Sequence, residues 1–219
     1  MKNTTILAAF AVSAITATAG VVAPAPAACP IKHADPCAGP ISYNNVELLY
    51  AYTDYSGTGD NGNGGVLRLE YSAWDNFYLA AGASYHEVNS VDMWALSAGV
   101  GGYVALSENV HLVAEVGGLW TSFDTQTWVD DGSSAGTGNW VNDSNQEWGW
   151  YVRPHIRAKY GCFEAHAGAL YTDLGGNWGD EWAGFVNVYY QVSPGWDLTA
   201  GVTFSSDTTT ITGGARYRY

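Results

Sequence analysis

The side chains best placed for chemistry in this sequence are Glu47, Arg68, Glu70, Glu115, Arg153, Arg157, Lys159, Glu164, Arg216 and Arg218. Each is flanked in the chain by apolar residues, as in Val46-Glu47-Leu48 and Ile156-Arg157-Ala158. On an extended chain, successive side chains point to opposite faces. These charges therefore gather on one face, and Ala, Val, Leu and aromatic residues gather on the other. Two chemistries fit such a face. The charges either neutralise one another as ion pairs, so that none is left uncompensated, or they line a lumen that favours anions.

Other residue types offer less. Asp and Glu, without Lys or Arg, crowd the segments between the apolar runs from Asp54 to Asp207. Asp60, Asn61 and Asn63 in one such segment, and Asp130-Asp131 in another, supply the oxygen ligands Ca²⁺ takes, but neither has the EF-hand spacing. The expectation is no cofactor and no metal, with calcium the one ion worth testing. Trp128 and Trp140 sit in the near-repeat TWVDD…NWVND around GSSAGTG. This reads as a strand–turn–strand that either extends two strands or presents a tryptophan pair to a glycan or host surface. Ser84, His86 and Glu87 lie near one strand end without a nucleophile motif or second carboxylate pair. His111, His155 and His166 read as polar filler, and no His/Cys metal spacing is present. The chain is not expected to be an enzyme.

The elements that must position these residues follow from the same period of two. EWGWYVRPHIRAKY (147–160) puts Trp148, Trp150, Val152, Ile156 and Tyr160 on one face and Arg153, His155, Arg157 and Lys159 on the other. The pattern repeats over about 46–55, 66–73, 77–86, 93–106, 110–122, 147–160, 163–173, 181–192, 197–205 and 209–219. Turns after the even-numbered strands are short; most of the other connections are longer, with 57–65 and 123–146 read as loops. This predicts an all-β, ten-stranded antiparallel up-and-down transmembrane barrel, eight strands being the alternative. Aromatic residues fall at both ends of the apolar faces, and no Lys or Arg falls on them, as expected of a wall in lipid. Pro154 removes a ladder donor in mid-strand, which predicts a local bulge.

At 219 residues the chain is one domain of barrel size. Its formal charge of -13 argues against binding nucleic acid. Lys2, the apolar stretch Ile6–Ile15 and Ala17-Thr18-Ala19 read as a secretory signal over 1–19, with a second cleavage candidate as late as 27. Residues 20–44, rich in proline, read as a periplasmic linker or plug-like tail, and 45–219 as the barrel. After export, Cys29 and Cys37 are placed to close a small loop, leaving Cys162 unpaired.

The alternating strands, the aromatic ends and the terminal ITGGARYRY resemble the small outer-membrane β-barrel proteins of Gram-negative-type bacteria. The resemblance covers roughly 45–219 and singles out no subfamily. It implies residence in the outer membrane, contact with its lipid and lipopolysaccharide, and a C-terminal strand read by the barrel-assembly machinery through Tyr217 and Tyr219. The family includes adhesins, membrane-stabilising proteins, narrow pores and a few enzymes. A barrel of ten strands lies near the side-chain-filled end of the size range. The expectation is therefore a monomeric structural or adhesion-type protein, with a narrow pore of weak anion preference as the alternative and an outer-membrane enzyme as a distant third.

Overall fold

A computed structural model describes residue 37 and residues 39–56, 59–89, 91–130, 138–175 and 179–219, with the side chains of 125–143 excepted. The signal segment, Cys29 and Asp131 lie outside the described residues. Ten antiparallel strands form one closed ring, each paired with its sequence neighbours and β1 with β10. They are β1 (Asn45–Tyr55), β2 (Asn61–Trp74), β3 (Phe77–Val88), β4 (Val91–Ser107), β5 (Val110–Asp130), β6 (Gly138–Tyr160), β7 (Phe163–Asp173), β8 (Asp180–Ser193), β9 (Trp196–Phe204) and β10 (Thr208–Arg218). The seam is fully stitched, from Asn45↔Arg218 to Tyr55↔Thr208. Closure leaves no strand with an open edge along the wall, as a barrel in lipid requires.

The ring has a terminal end, where the chain enters β1 and leaves β10, and a loop end. Connections at the terminal end are tight. Asp75-Asn76 joins β2 to β3, and Asn76 takes the left-handed conformation (φ 64°) that asparagine tolerates. Gly161 (φ 56°) does the same before Cys162 between β6 and β7. Among the described residues the ladder slips its register beside such turns, at Ser72/Trp74, Ala105/Ser107 and Gln191/Ser193.

Several strands run further than periodicity indicates. Asn61–Gly65, read as loop from its glycines and asparagines, is the start of β2 and pairs with β1. The segment 123–146 is mostly strand: β5 and β6 continue as a ribbon beyond the ring, paired from Thr125↔Asp143 to Asp130↔Gly138. Ladder bonds to a partner strand outweigh weak local propensity in both places. No bulge forms at Pro154. β6 holds one register against β5 through Ala114↔Pro154. On the other side its pairs stop at Val152↔Tyr171 and resume, unshifted, at His155↔Gly168. A strand fixed on both sides accommodates the missing donor as a gap in the ladder.

The wall divides its residues as alternation demands. Leu48 is 66% exposed, Val116 54% and Ile211 57% on the outside, amid many other large apolar side chains. Their chain neighbours Glu47, Glu115 and Thr212 are buried inside.

Candidate functional site

The interior is built in layers. Nearest the terminal end is an ion cluster. Arg157 Nη2 lies 2.6 Å from Glu164 Oε1 and Arg157 Nη1 3.7 Å from Glu70 Oε2. Arg216 bridges Glu164 Oε2 at 2.8 Å and Asp197 Oδ2 at 2.7 Å, while Arg218 reaches Asp197 Oδ1 at 2.8 Å. Arg68 pairs with Glu47 at 3.3 Å, and His166 Nε2 lies 2.8 Å from Glu164. Asn45 donates to Glu70. The arginine planes also stack on rings, Arg216 at 3.8 Å from the Tyr189 centroid and Arg153 at 4.0 Å from that of Phe185. These groups come from seven strands, and the ring alone brings them together.

The next layer is aromatic and hydroxyl-bearing. Tyr78 and Tyr151 donate to the two oxygens of Glu115 at 3.1 and 2.9 Å. Their rings lie over inward glycines: a Cβ on Gly101 would stand 1.8 Å from Tyr78 Cζ, so only glycine leaves room. Leu119 and Leu170 fill the space beyond. At the loop end Tyr55, Val88, Met93 and Phe123 form a separate buried apolar cluster.

The terminal mouth is crossed by residues 39–44. Cys37 is disulfide-bonded to Cys162 in the β6–β7 turn, which replaces the expected Cys29–Cys37 loop. Spacing in the chain favours near pairs; here the barrel carries the turn to the strap across 125 residues. Tyr43, fully buried, stacks on Tyr103 at 4.3 Å and on His111 at 5.4 Å and shares a hydrogen bond with His111 Nδ1. Burial pushes the Tyr43 hydroxyl well above its ordinary range, so it stays protonated. The Arg157 guanidinium lies 4.7 Å over the same ring and donates to Ser42 O.

The structure thus places Glu47, Arg68, Glu70, Glu115, Arg153, Arg157, Lys159, Glu164 and Arg216 in the buried interior and Arg218 at its edge. It brings Glu47, Arg68, Glu70, Arg157, Glu164, Arg216 and Arg218 into ion pairs with one another or with Asp197. Asp197 is the member sequence reasoning missed, although it opens the ninth strand and alternates with outward Leu198 and Ala200. In the β9–β10 ladder it stands opposite Arg216. The cation excess over carboxylates shrinks by one with Asp197 counted.

Elsewhere the candidates disperse. Ser84 and His86 face inward, and Glu87 faces out. Asp60 accepts a hydrogen bond from Asn89, while Asn61 and Asn63 stand exposed on β2. Trp128 and Trp140 are register partners in the ribbon, with Asp130 near its tip; their side chains lie outside the described ones. Tyr217 faces outward beside Trp196, and the Tyr219 hydroxyl donates to Glu70 O.

No family model matches the chain, and no curated protein matches it. Solved structures similar to it include Neisserial surface protein A, at 10% identity and a TM-score of 0.40 over 80% of this chain and 96% of that one. The KdgM porin, solved in complex with disordered oligogalacturonate, is 12% identical with a TM-score of 0.41 over 80% and 99%. The β domain of the Bordetella autotransporter BrkA is 10% identical with a TM-score of 0.48 over 80% and 99%. A closed ring of ten antiparallel strands, apolar outside and charged within, has the architecture of a small transmembrane β-barrel.

Proposed function

We propose that the protein is a resident of a bacterial outer membrane whose oxidised barrel is sealed and whose role is structural or adhesive. The observation that carries this is the burial of the interior. Arg157, Tyr78 and Tyr151 at 0% exposure, with Arg216 at 1%, leave no water-lined face in the ion and tyrosine layers. Charges lining an aqueous lumen keep solvent contact; these instead neutralise one another across the ring. The strap and the loop-end cluster close the two mouths.

In this reading residues 1–19 direct export, the terminal end faces the periplasm, and the barrel-assembly machinery reads the strand ending at Tyr219. Outward rings such as Tyr85–Trp94 and Trp150–Tyr171–Trp182 toward the loop end, and Phe163–Tyr190 and Trp196–Tyr217 toward the terminal end, mark the two lipid interfaces. The β5–β6 ribbon and the acidic rim face outward, toward lipopolysaccharide and a surface glycan or host ligand. Purified protein in a planar bilayer tests the seal. Silence under applied voltage is expected. Steady unitary currents with an anion-selective reversal potential would replace this reading with that of a narrow pore.

A further inference from the structure

The strap is pinned at both ends on opposite sides of the ring. Cys37 is bonded to Cys162 between β6 and β7, and residue 44 runs into β1, half-way round the barrel. Between the pins, Ile41 and Tyr43 are buried, Ser42 O accepts from Arg157, and the Asn44 side chain accepts from Ser72 N at 2.8 Å. What the strap covers is the ion cluster of Arg157, Glu164 and Glu70.

The two sulfurs of the latch differ in access: Cys37 is 6% exposed, whereas Cys162 sits on the turn with intermediate exposure.

We propose that Cys37–Cys162 is a redox latch that keeps this strap across the mouth, and that a dithiol reductant of the oxidoreductase class releases it. A thiolate of the reductant attacks Cys162 Sγ, and Cys37 leaves as a thiolate. The second reductant thiol then attacks the mixed disulfide, giving the oxidised reductant and two free cysteines, a two-electron exchange in balance. None of the ten strands carries a cysteine, so the wall persists while the strap swings away and the ion cluster becomes a charged vestibule. The inference rests on the sealed reading of the oxidised barrel, but the two fail separately, because the bilayer assay above uses oxidised protein alone.

Tyrosine nitration mapped by peptide mass spectrometry tests the latch on full-length protein in lipid. Three samples are compared: oxidised, reduced and alkylated, and Cys37→Ser/Cys162→Ser. Tyr43 is expected to stay unmodified in the first and to reach the level of exposed tyrosines in the other two. Tyr78 and Tyr151, held by Glu115 inside the wall, should stay unmodified in all three. Heat-modifiable gel mobility confirms that each sample is a folded barrel. Tyr43 protection that survives both reduction and the double substitution overturns the proposal, since the non-covalent contacts then hold the strap unaided. Joint modification of Tyr43, Tyr78 and Tyr151 also overturns it, since the disulfide then stabilises the whole barrel and not a strap.

Discussion

Glu164 shows what the interior asks of one residue. It accepts from Arg157 at 2.6 Å and Arg216 at 2.8 Å and stands 2.8 Å from His166. Removing its charge in Glu164→Gln leaves two buried guanidinium groups short of a counter-ion. Breaking a buried ion pair from one side costs about 3–5 kcal/mol. The urea midpoint of barrel unfolding in lipid vesicles should therefore fall, and an unchanged midpoint would show that the cluster is hydrated. Tyr151→Phe is milder: Glu115 keeps the Tyr78 donor, and the loss should be about 1–2 kcal/mol in the same assay. Which residues face inward was legible from alternation alone. Which pairs with which was not. Glu47 stands opposite Arg216 in the ladder yet pairs with Arg68, its opposite on the other side. Side-chain reach and competing partners decide that, and neither is encoded in spacing.

At the scale of elements, the period of two locates every strand, but the strand ends depend on partners. Asn61–Gly65 has weak strand propensity and is a strand because β1 and β3 offer ladder partners. Pro154 is the opposite case, a strong local signal overridden by register on both flanks. Across the ladder a Cβ on Gly168 would lie 2.3 Å from Pro154 O. Gly168→Ala should therefore destabilise the barrel by about 1–3 kcal/mol, read as a lower urea midpoint, since backbone atoms give way less than side chains. The ribbon beyond Thr125↔Asp143 pairs within itself, from Gln126↔Asn142 outward. Replacing residues 126–142 with a short glycine linker should leave heat-modifiable mobility intact while abolishing any surface adhesion the tip supports. Loss of the folded band would mean that the ribbon is needed to form the wall.

For the whole molecule, the lipid-facing wall is the most exposed claim. Val116, exposed midway along the outer face of β5, meets hydrocarbon if the barrel spans a bilayer. An arginine at the midplane costs about 2–4 kcal/mol there and little in water. Val116→Arg unfolding at the wild-type midpoint in vesicles would place that face outside lipid. The global fold was readable because its two solvents impose one repeating rule on every strand. The strap was readable only as a linker or plug-like tail; its contacts were not, because they depend on where the closed ring puts Cys162, Tyr103 and His111, far from Tyr43 in the chain.

The closing contact of the ring has a topological consequence. Tyr219 N donates to Asn44 O at 3.2 Å, so the wall ends where it begins. A circular permutant that joins residue 219 to residue 45 and opens the chain between β5 and β6 keeps every ladder of the cylinder. The wall itself has no privileged first strand.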